Sequence, residues 1–322
     1  MQCELCASGK VPCDDPAGCQ LIRCLFGILR CQFQAMKIVQ RLSRASYLEP
    51  SGMRAIKLLF ASEVIVFAIF FLDAFTHLDE RVDIGGRSAH GAFEFLGVAA
   101  SLYLLTRGRS GKASLLDWLS CALVLLVACL GFTGSSITFF ALYLLIRDRG
   151  DLNTKAAGTV AAAVVVQAVW APLIFSKISF LLLQGDASIV GWLLGFVLPG
   201  ASWGGTVVYT PSGHNVVITE PCASFHNLSL ATLCWVTLTM LHRPYWLKSD
   251  LYVGLVAILI QFGFNVWRLV FVCLSLPMYE FWHNGLGKHV FSAIATACAI
   301  IVVQFWLVRR DQRDSQRVAA IS

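Results

Sequence analysis

The chain has 322 residues, 57% hydrophobic and only 14% charged, with a mean hydropathy of +0.70. Soluble domains carry about 25% charged residues, so an ordinary water-facing surface is excluded, and the long apolar runs read as a polytopic membrane protein. The net charge of +6 is spread through short segments between those runs, a pattern of membrane topology that argues against a nucleic-acid partner.

Residues 1–50 hold six of the twelve cysteines: Cys3, Cys6, Cys13, Cys19, Cys24 and Cys31. Cys3 and Cys6 form a CxxC, but no second pair follows at zinc-finger spacing, so no metal is expected. The segment reads as a poorly ordered cytoplasmic tail, or as the product of an upstream start codon with initiation nearer Met36 or Met53. It is set apart from the fold, as is a basic tail over 311–322. No cleavable signal peptide and no internal repeat are found.

Windows of about 20 residues place eight spans, at 55–74, 92–106, 115–132, 134–146, 156–175, 227–241, 251–274 and 289–308. The run 178–200 is also apolar, but Gly185 and Asp186 interrupt it, so an interfacial or re-entrant segment is expected there. Glu63, Asp73 and Glu94 are too costly to face lipid and are expected in the bundle interior or near its ends.

The segments between spans alternate in charge. Twenty basic residues fall on one side, among them Arg107, Arg147, Arg243 and Arg310, against four on the other: Arg81, Arg87, Lys177 and Lys288. By the positive-inside rule both termini are cytoplasmic. Trp118, Trp246 and Trp306 near inner span ends, with Trp170 and Trp282 near outer ones, fit an aromatic belt.

Residues 176–226 then form the largest extracytoplasmic segment. Within it, Thr206–Thr210 and Asn215–Thr219 flank a Pro-Ser-Gly turn, which predicts a β-hairpin before the sixth span. That hairpin delivers Cys222 to the exterior boundary of the membrane. Arg268 lies 17 residues into its span, about 26 Å at the helical rise, and so reaches the same interface. Asn265, at i−3, shares its face. His283 and His289 open the last span on the same side. A lone cysteine or histidine is more often structural, and a lone arginine can snorkel to lipid phosphate. Three such groups at one depth in a charge-poor protein point instead to chemistry.

A thiolate is a nucleophile, and a helix N-terminus and a histidine both favour it. The histidine can accept a proton and later return it to a leaving amine, while the arginine stabilises an oxyanion. Together they suggest peptide acyl transfer through a thioester, without metal or cofactor. His226, at i+4 from Cys222, is a second candidate base or an orienting group, and Glu220 is a candidate orienter.

Glu220-Pro-Cys222, Asn265-Val-Trp-Arg268 and His283-Asn-Gly-Leu-Gly287, in this order, resemble the exosortase/archaeosortase family of integral-membrane cysteine transpeptidases. The resemblance is strongest over 200–292. It implies Cys222 as nucleophile, Arg268 as electrostatic stabiliser and His283 as acid/base, favoured over His289, which lacks a glycine four residues on. It also implies a bacterial inner (plasma) membrane location. The partners it implies are exported proteins whose C-terminal signal is a short motif, a span and a basic tail. The family usually has Ser-Gly after the cysteine. Ala223 and Ser224 stand there instead, marking an atypical member. The alternative reading is a small transporter or lipid-head-group handler, with Arg268, His283 and Lys288 as an outward anion site.

Overall fold

The computed structural model describes residues 54–76, 84–108, 111–147 and 151–321. The cysteine-rich segment expected over 1–50, with its Cys3–Cys6 pair, lies outside them, as does Arg81. The protein is mostly helical, with one small three-stranded sheet. Where no water can satisfy backbone N–H and C=O groups, apolar runs must close those bonds internally, and the helix does so within one segment.

In chain order, α1 (Ala55–Thr76), α2 (Ile84–Arg107), α3 (Leu115–Cys129) and α4 (Thr133–Ile146) precede α5 (Leu152–Val165). A π-helical turn (Val166–Trp170) joins α5 without a break to α6 (Ala171–Val197). Strands β1 (Ser202–Gly204), β2 (Val207–Tyr209) and β3 (Val216–Val217) follow, then a 3-10 turn (Glu220–Cys222) and α7 (Ser224–His242). The chain closes with α8 (Lys248–Leu274), a short α9 (Leu276–Tyr279), a second π-turn (Glu280–Asn284) and α10 (Leu286–Ile321).

Four stretches are long and apolar enough to cross a membrane: Ala55–Leu72, Leu152–Val197, Lys248–Leu274 and Leu286–Arg313. The apolar helices α3 and α4 are shorter. The 15 residues of α3 reach about 22 Å, less than a hydrocarbon core of about 30 Å. Leu119, Leu123 and Leu126 stand exposed along it, a stripe that would be a liability in water and is ordinary against lipid chains.

Two apolar cores lie inside. Helices α1 to α5 and α7 share one, with Leu59, Leu105, Phe140, Leu144, Val160 and Leu233. The other joins α6, the sheet and α8 through Val190, Leu194, Val208, Val216, Ile218 and Leu269, and Cys222 belongs to it. This second core positions the candidate site. Buried acids are partnered: Asp117 accepts from Arg147 Nε at 2.7 Å and Asp250 from Arg243 Nη2 at 2.9 Å. Glu63 is fully buried in the bundle, as expected, and accepts from the Ser101 hydroxyl. Glu94 is half-buried, and the Asp73 side chain lies outside the described residues.

Two expectations need correction. The break at Gly185–Asp186 does not occur: Leu152–Val197 is a continuous stretch of 46 residues, about 69 Å at the helical rise. A Cβ at Gly185 would have nothing within 4 Å, so no packing demand disturbs the helix there. The Asp186 carboxylate has a designated partner, the Ser224 N–H at 2.8 Å. Helix α10 continues to Ile321, so the basic segment expected as a tail over 311–322 is helical up to that residue.

Finally, the expected hairpin is present, with Val207 opposite Val217 and Val208 opposite Val216, but a third strand extends it. Gly213, at φ 79°, allows its Pro-Ser-Gly turn. Strand β1 pairs antiparallel with β2, Ser202 opposite Tyr209. Its Ser-Trp-Gly sequence has no alternating pattern to announce a strand. Trp203 docks the sheet onto α6 at Gly191, where a Cβ would meet the indole at 2.8 Å.

Candidate active site

The answer to why a cysteine sits between a sheet and a helix lies in the turn that holds it. Pro221 opens a single 3-10 turn, in which the Cys222 N–H donates to the Thr219 carbonyl at 2.9 Å and the Ala223 N–H to the Glu220 carbonyl at 3.1 Å. Ala223 is then extended, and α7 starts at Ser224. Cys222 therefore stands just before a helix N-terminus, 4% exposed.

Three side chains anchor this turn. Asp186 of α6 accepts from the Ser224 N–H, satisfying one of the first backbone donors of α7. Asn265 of α8 donates to the Cys222 carbonyl at 3.0 Å and to the Ser224 hydroxyl at 2.9 Å. Its own oxygen accepts from Asn227 of α7 at 3.0 Å. Asn265 was expected on the Arg268 face, and its work is to fix the backbone that carries the sulfur.

His283 comes from the second π-turn. Its Nε2 lies 3.1 Å from Cys222 Sγ, and its Nδ1 lies 2.9 Å from Asn284 Oδ1. Tyr279 stacks on the imidazole, with centroids 4.7 Å apart and planes 12° from parallel. That tyrosine also makes a T-shaped ring contact with His214 of the β2–β3 connection, whose Nε2 is 3.3 Å from the Val272 carbonyl. Gly287 completes the seat. A Cβ there would fall 2.7 Å from the Phe281 carbonyl oxygen and 2.7 Å from the Trp282 ring, so the glycine four residues after His283 has a packing reason.

Arg268 is nine-tenths buried, at 9% exposure, and is coupled electrostatically to both Cys222 and His283. Among the described residues no hydrogen bond or ion pair ties down its guanidinium. It lines a small cleft between α7, α8 and α10 with Asn227, Gln261, Phe264, Asn265 and Ser292. Gln261 lines the same cleft, and among the described residues its buried Oε1 has no partner.

Cys222 and His283 both lie in turns outside the membrane-crossing helices. Burial pushes the thiol up, but the His283 hydrogen bond, the charges of His283 and Arg268 and the Thr219 hydroxyl together take it below its ordinary value. The hydrogen bond to Cys222 raises the imidazole above its ordinary value, against burial and Arg268 and with help from Asn284. These opposite shifts favour a thiolate beside an imidazolium, which titrate as a pair.

The sequence also offered His289, His226 and Glu220 as candidates. His289 is exposed on α10. His226 is half-buried on the first turn of α7, and its carbonyl accepts from Ser229. Glu220 is exposed, and among the described residues no hydrogen bond or ion pair joins its side chain to His283 or Arg268. Sequence reasoning missed His214, Tyr279 and Asn284 altogether and took Asp186 for an interruption. A lone carboxylate in a long apolar run was its available signal. Among the described residues no group of three or more His, Cys, Asp or Glu side chains is placed to hold a metal ion.

No family model, curated protein or solved structure matches the chain.

Proposed function

We propose that the protein is a membrane-embedded cysteine peptidase/transpeptidase, an atypical member of the exosortase/archaeosortase family. The observation that carries this reading is the 3.1 Å contact between Cys222 Sγ and His283 Nε2, with which the nine-tenths buried Arg268 is electrostatically coupled. The topology that goes with it has eight spans, both termini cytoplasmic and the site facing outward from a bacterial inner membrane. The basic residues' twenty-to-four asymmetry supports that orientation.

In the first half-reaction the Cys222 thiolate attacks a peptide carbonyl near the outer end of a substrate's C-terminal span. A C–S bond forms, and Arg268 stabilises the oxyanion. As the C–N bond breaks, imidazolium His283 gives its proton to the leaving amine. The thioester that remains is resolved when water or an acceptor amine, deprotonated by the now neutral His283, attacks the same carbonyl and releases the Cys222 thiolate. The substrates are exported proteins ending in a motif, a span and a basic tail.

The test is a co-expressed substrate of that design followed by gel mobility. Cys222→Ala and Arg268→Ala leave the protein in the membrane and stop processing. Continued cleavage by Cys222→Ala would end the proposal. An outward anion site in a transporter is the reading that Arg268, without a hydrogen-bond or ion-pair partner among the described residues, also permits, and it is separated by Cys222→Ser, which a transporter tolerates and a thiol nucleophile does not.

A further inference from the structure

The imidazole of His283 has two nitrogens, and only one touches sulfur. The other is 2.9 Å from Asn284 Oδ1, and the Asn284 Nδ2 donates to Glu280 Oε2, also at 2.9 Å. We propose that Asn284 and Glu280 are positioning residues that set the tautomer and ring orientation of His283, extending the Cys222–His283 pair into a four-membered chain. This rests on the reading of Cys222 as nucleophile and His283 as acid/base.

The argument is one of donor and acceptor capacity. An ionised carboxylate only accepts, so the asparagine group facing Glu280 must be its NH2. That settles the amide's orientation, which atom positions alone often leave ambiguous. The oxygen then faces His283 and can only accept, so Nδ1 carries a hydrogen. Nε2 is left as the nitrogen that takes and returns the proton at Cys222 Sγ. Tyr279, stacked on the ring face, opposes rotation about the ring's own axis.

The backbone supports the same chain. Glu280 and Asn284 are four residues apart, at the two ends of the second π-turn, and His283 lies between them. The charged and titratable groups around the imidazole are Cys222, Arg268, Tyr279 and, behind Asn284, Glu280. Among the described residues no hydrogen bond joins Asn284 or Glu280 to the thiol and neither lines the cleft, so they act through His283.

The experiment is the rate of Cys222 alkylation by iodoacetamide against pH. It uses the purified full-length protein in nanodiscs and reads the Cys222 peptide by mass spectrometry, so no substrate is needed. Wild type alkylates with a midpoint below that of an ordinary thiol. Asn284→Ala moves the midpoint up by about one pH unit, with a roughly tenfold fall in rate below it. Asn284→Asp keeps an acceptor on Nδ1 and holds the low midpoint. Glu280→Ala frees the amide to turn over and gives an intermediate shift.

An Asn284→Ala profile superposable on wild type overturns the proposal. So does an equal upward shift in Asn284→Ala and Asn284→Asp, which would mean that the turn's shape matters and the acceptor does not. A wild-type Cys222 that titrates as an ordinary thiol overturns the nucleophile reading itself, and this proposal with it.

Discussion

The Sγ of Cys222 and the Nε2 of His283 lie 3.1 Å apart across 61 residues of sequence, the thiol ahead of α7 and the imidazole ahead of α10. Neither residue is in a regular helix. Each sits in a tightened or widened turn whose hydrogen bonds differ from those of the α-helix that follows it. Irregular backbone of this kind is tolerated at a membrane only where it is buried in protein or lines a polar cavity. Cys222 is covered by the core of α6, the sheet and α8, whereas His283 is half-buried in a turn whose Glu280 and Asn284 are exposed.

That contact sets a pH dependence with a definite sign. The thiol lies below its ordinary value, so thiolate is lost only as pH falls through that lowered value. The imidazole lies above its ordinary value, so the leaving-group proton is lost only as pH rises through that raised value. Processing is therefore expected to follow a bell. Its acid limb lies below that of a free thiol and its alkaline limb above that of a free histidine. In His283→Ala, burial acts on the thiol with its main opponent gone. Its alkylation midpoint moves above the wild-type value, and a midpoint that stays put would show that the histidine does not tune the sulfur.

Asp186 predicts a separable defect. Its carboxylate meets the Ser224 N–H from a different helix, 38 residues away. Asp186→Ala removes that cap, at a cost of about 0.5–2 kcal/mol in stability. It also loosens the Cys222 turn, so alkylation and processing fall together. Asp186→Asn retains an acceptor oxygen and recovers most of both. Thermal unfolding in detergent, run beside the alkylation assay, checks each arm. If both substitutions leave Cys222 reactivity untouched, Asp186 serves the helix alone.

Two glycines make an internal contrast. A Cβ at Gly287 would fall 2.7 Å from a backbone carbonyl oxygen that cannot easily move, so Gly287→Ala must displace the turn bearing His283. At Gly185 a Cβ has nothing within 4 Å, so Gly185→Ala in mid-helix is expected to stabilise by about 0.5–1 kcal/mol. Processing should drop at least tenfold in the first and be unchanged in the second. Equal activity in the two variants would remove the packing account of Gly287.

What the sequence made legible divides along physical lines. Apolar length and charge asymmetry depend on composition alone, so helices near the expected bounds of α1, α4 and α8 follow from it. Cys222, Arg268 and His283 stood out because polar groups are expensive in such surroundings. The partners that orient them were harder to see. Asn284 lies in a π-turn and Tyr279 just before it, and no periodicity reveals that turn's hydrogen-bond offset. Asp186 looked like a break because its partner is remote, and β1 has too few residues to alternate. Cross-chain hydrogen bonds leave no local pattern.

Gln261 supplies a last test, because stability and function should move in opposite directions there. It is 3% exposed in the middle of α8, and among the described residues its Nε2 reaches Thr296 Oγ1 alone, at 3.4 Å, while its Oε1 has no partner. An unsatisfied buried acceptor costs about 1–3 kcal/mol, so Gln261→Leu should unfold at a higher temperature than wild type. Gln261 lines the cleft that holds Arg268, within the depth where an unwound substrate segment needs hydrogen-bond partners for its exposed backbone. If that segment lies in the cleft, Gln261→Leu loses about tenfold in processing, equivalent to one hydrogen bond of about 1.4 kcal/mol, while Cys222 alkylation stays at the wild-type rate. A variant that is both more stable and equally active would place the substrate elsewhere.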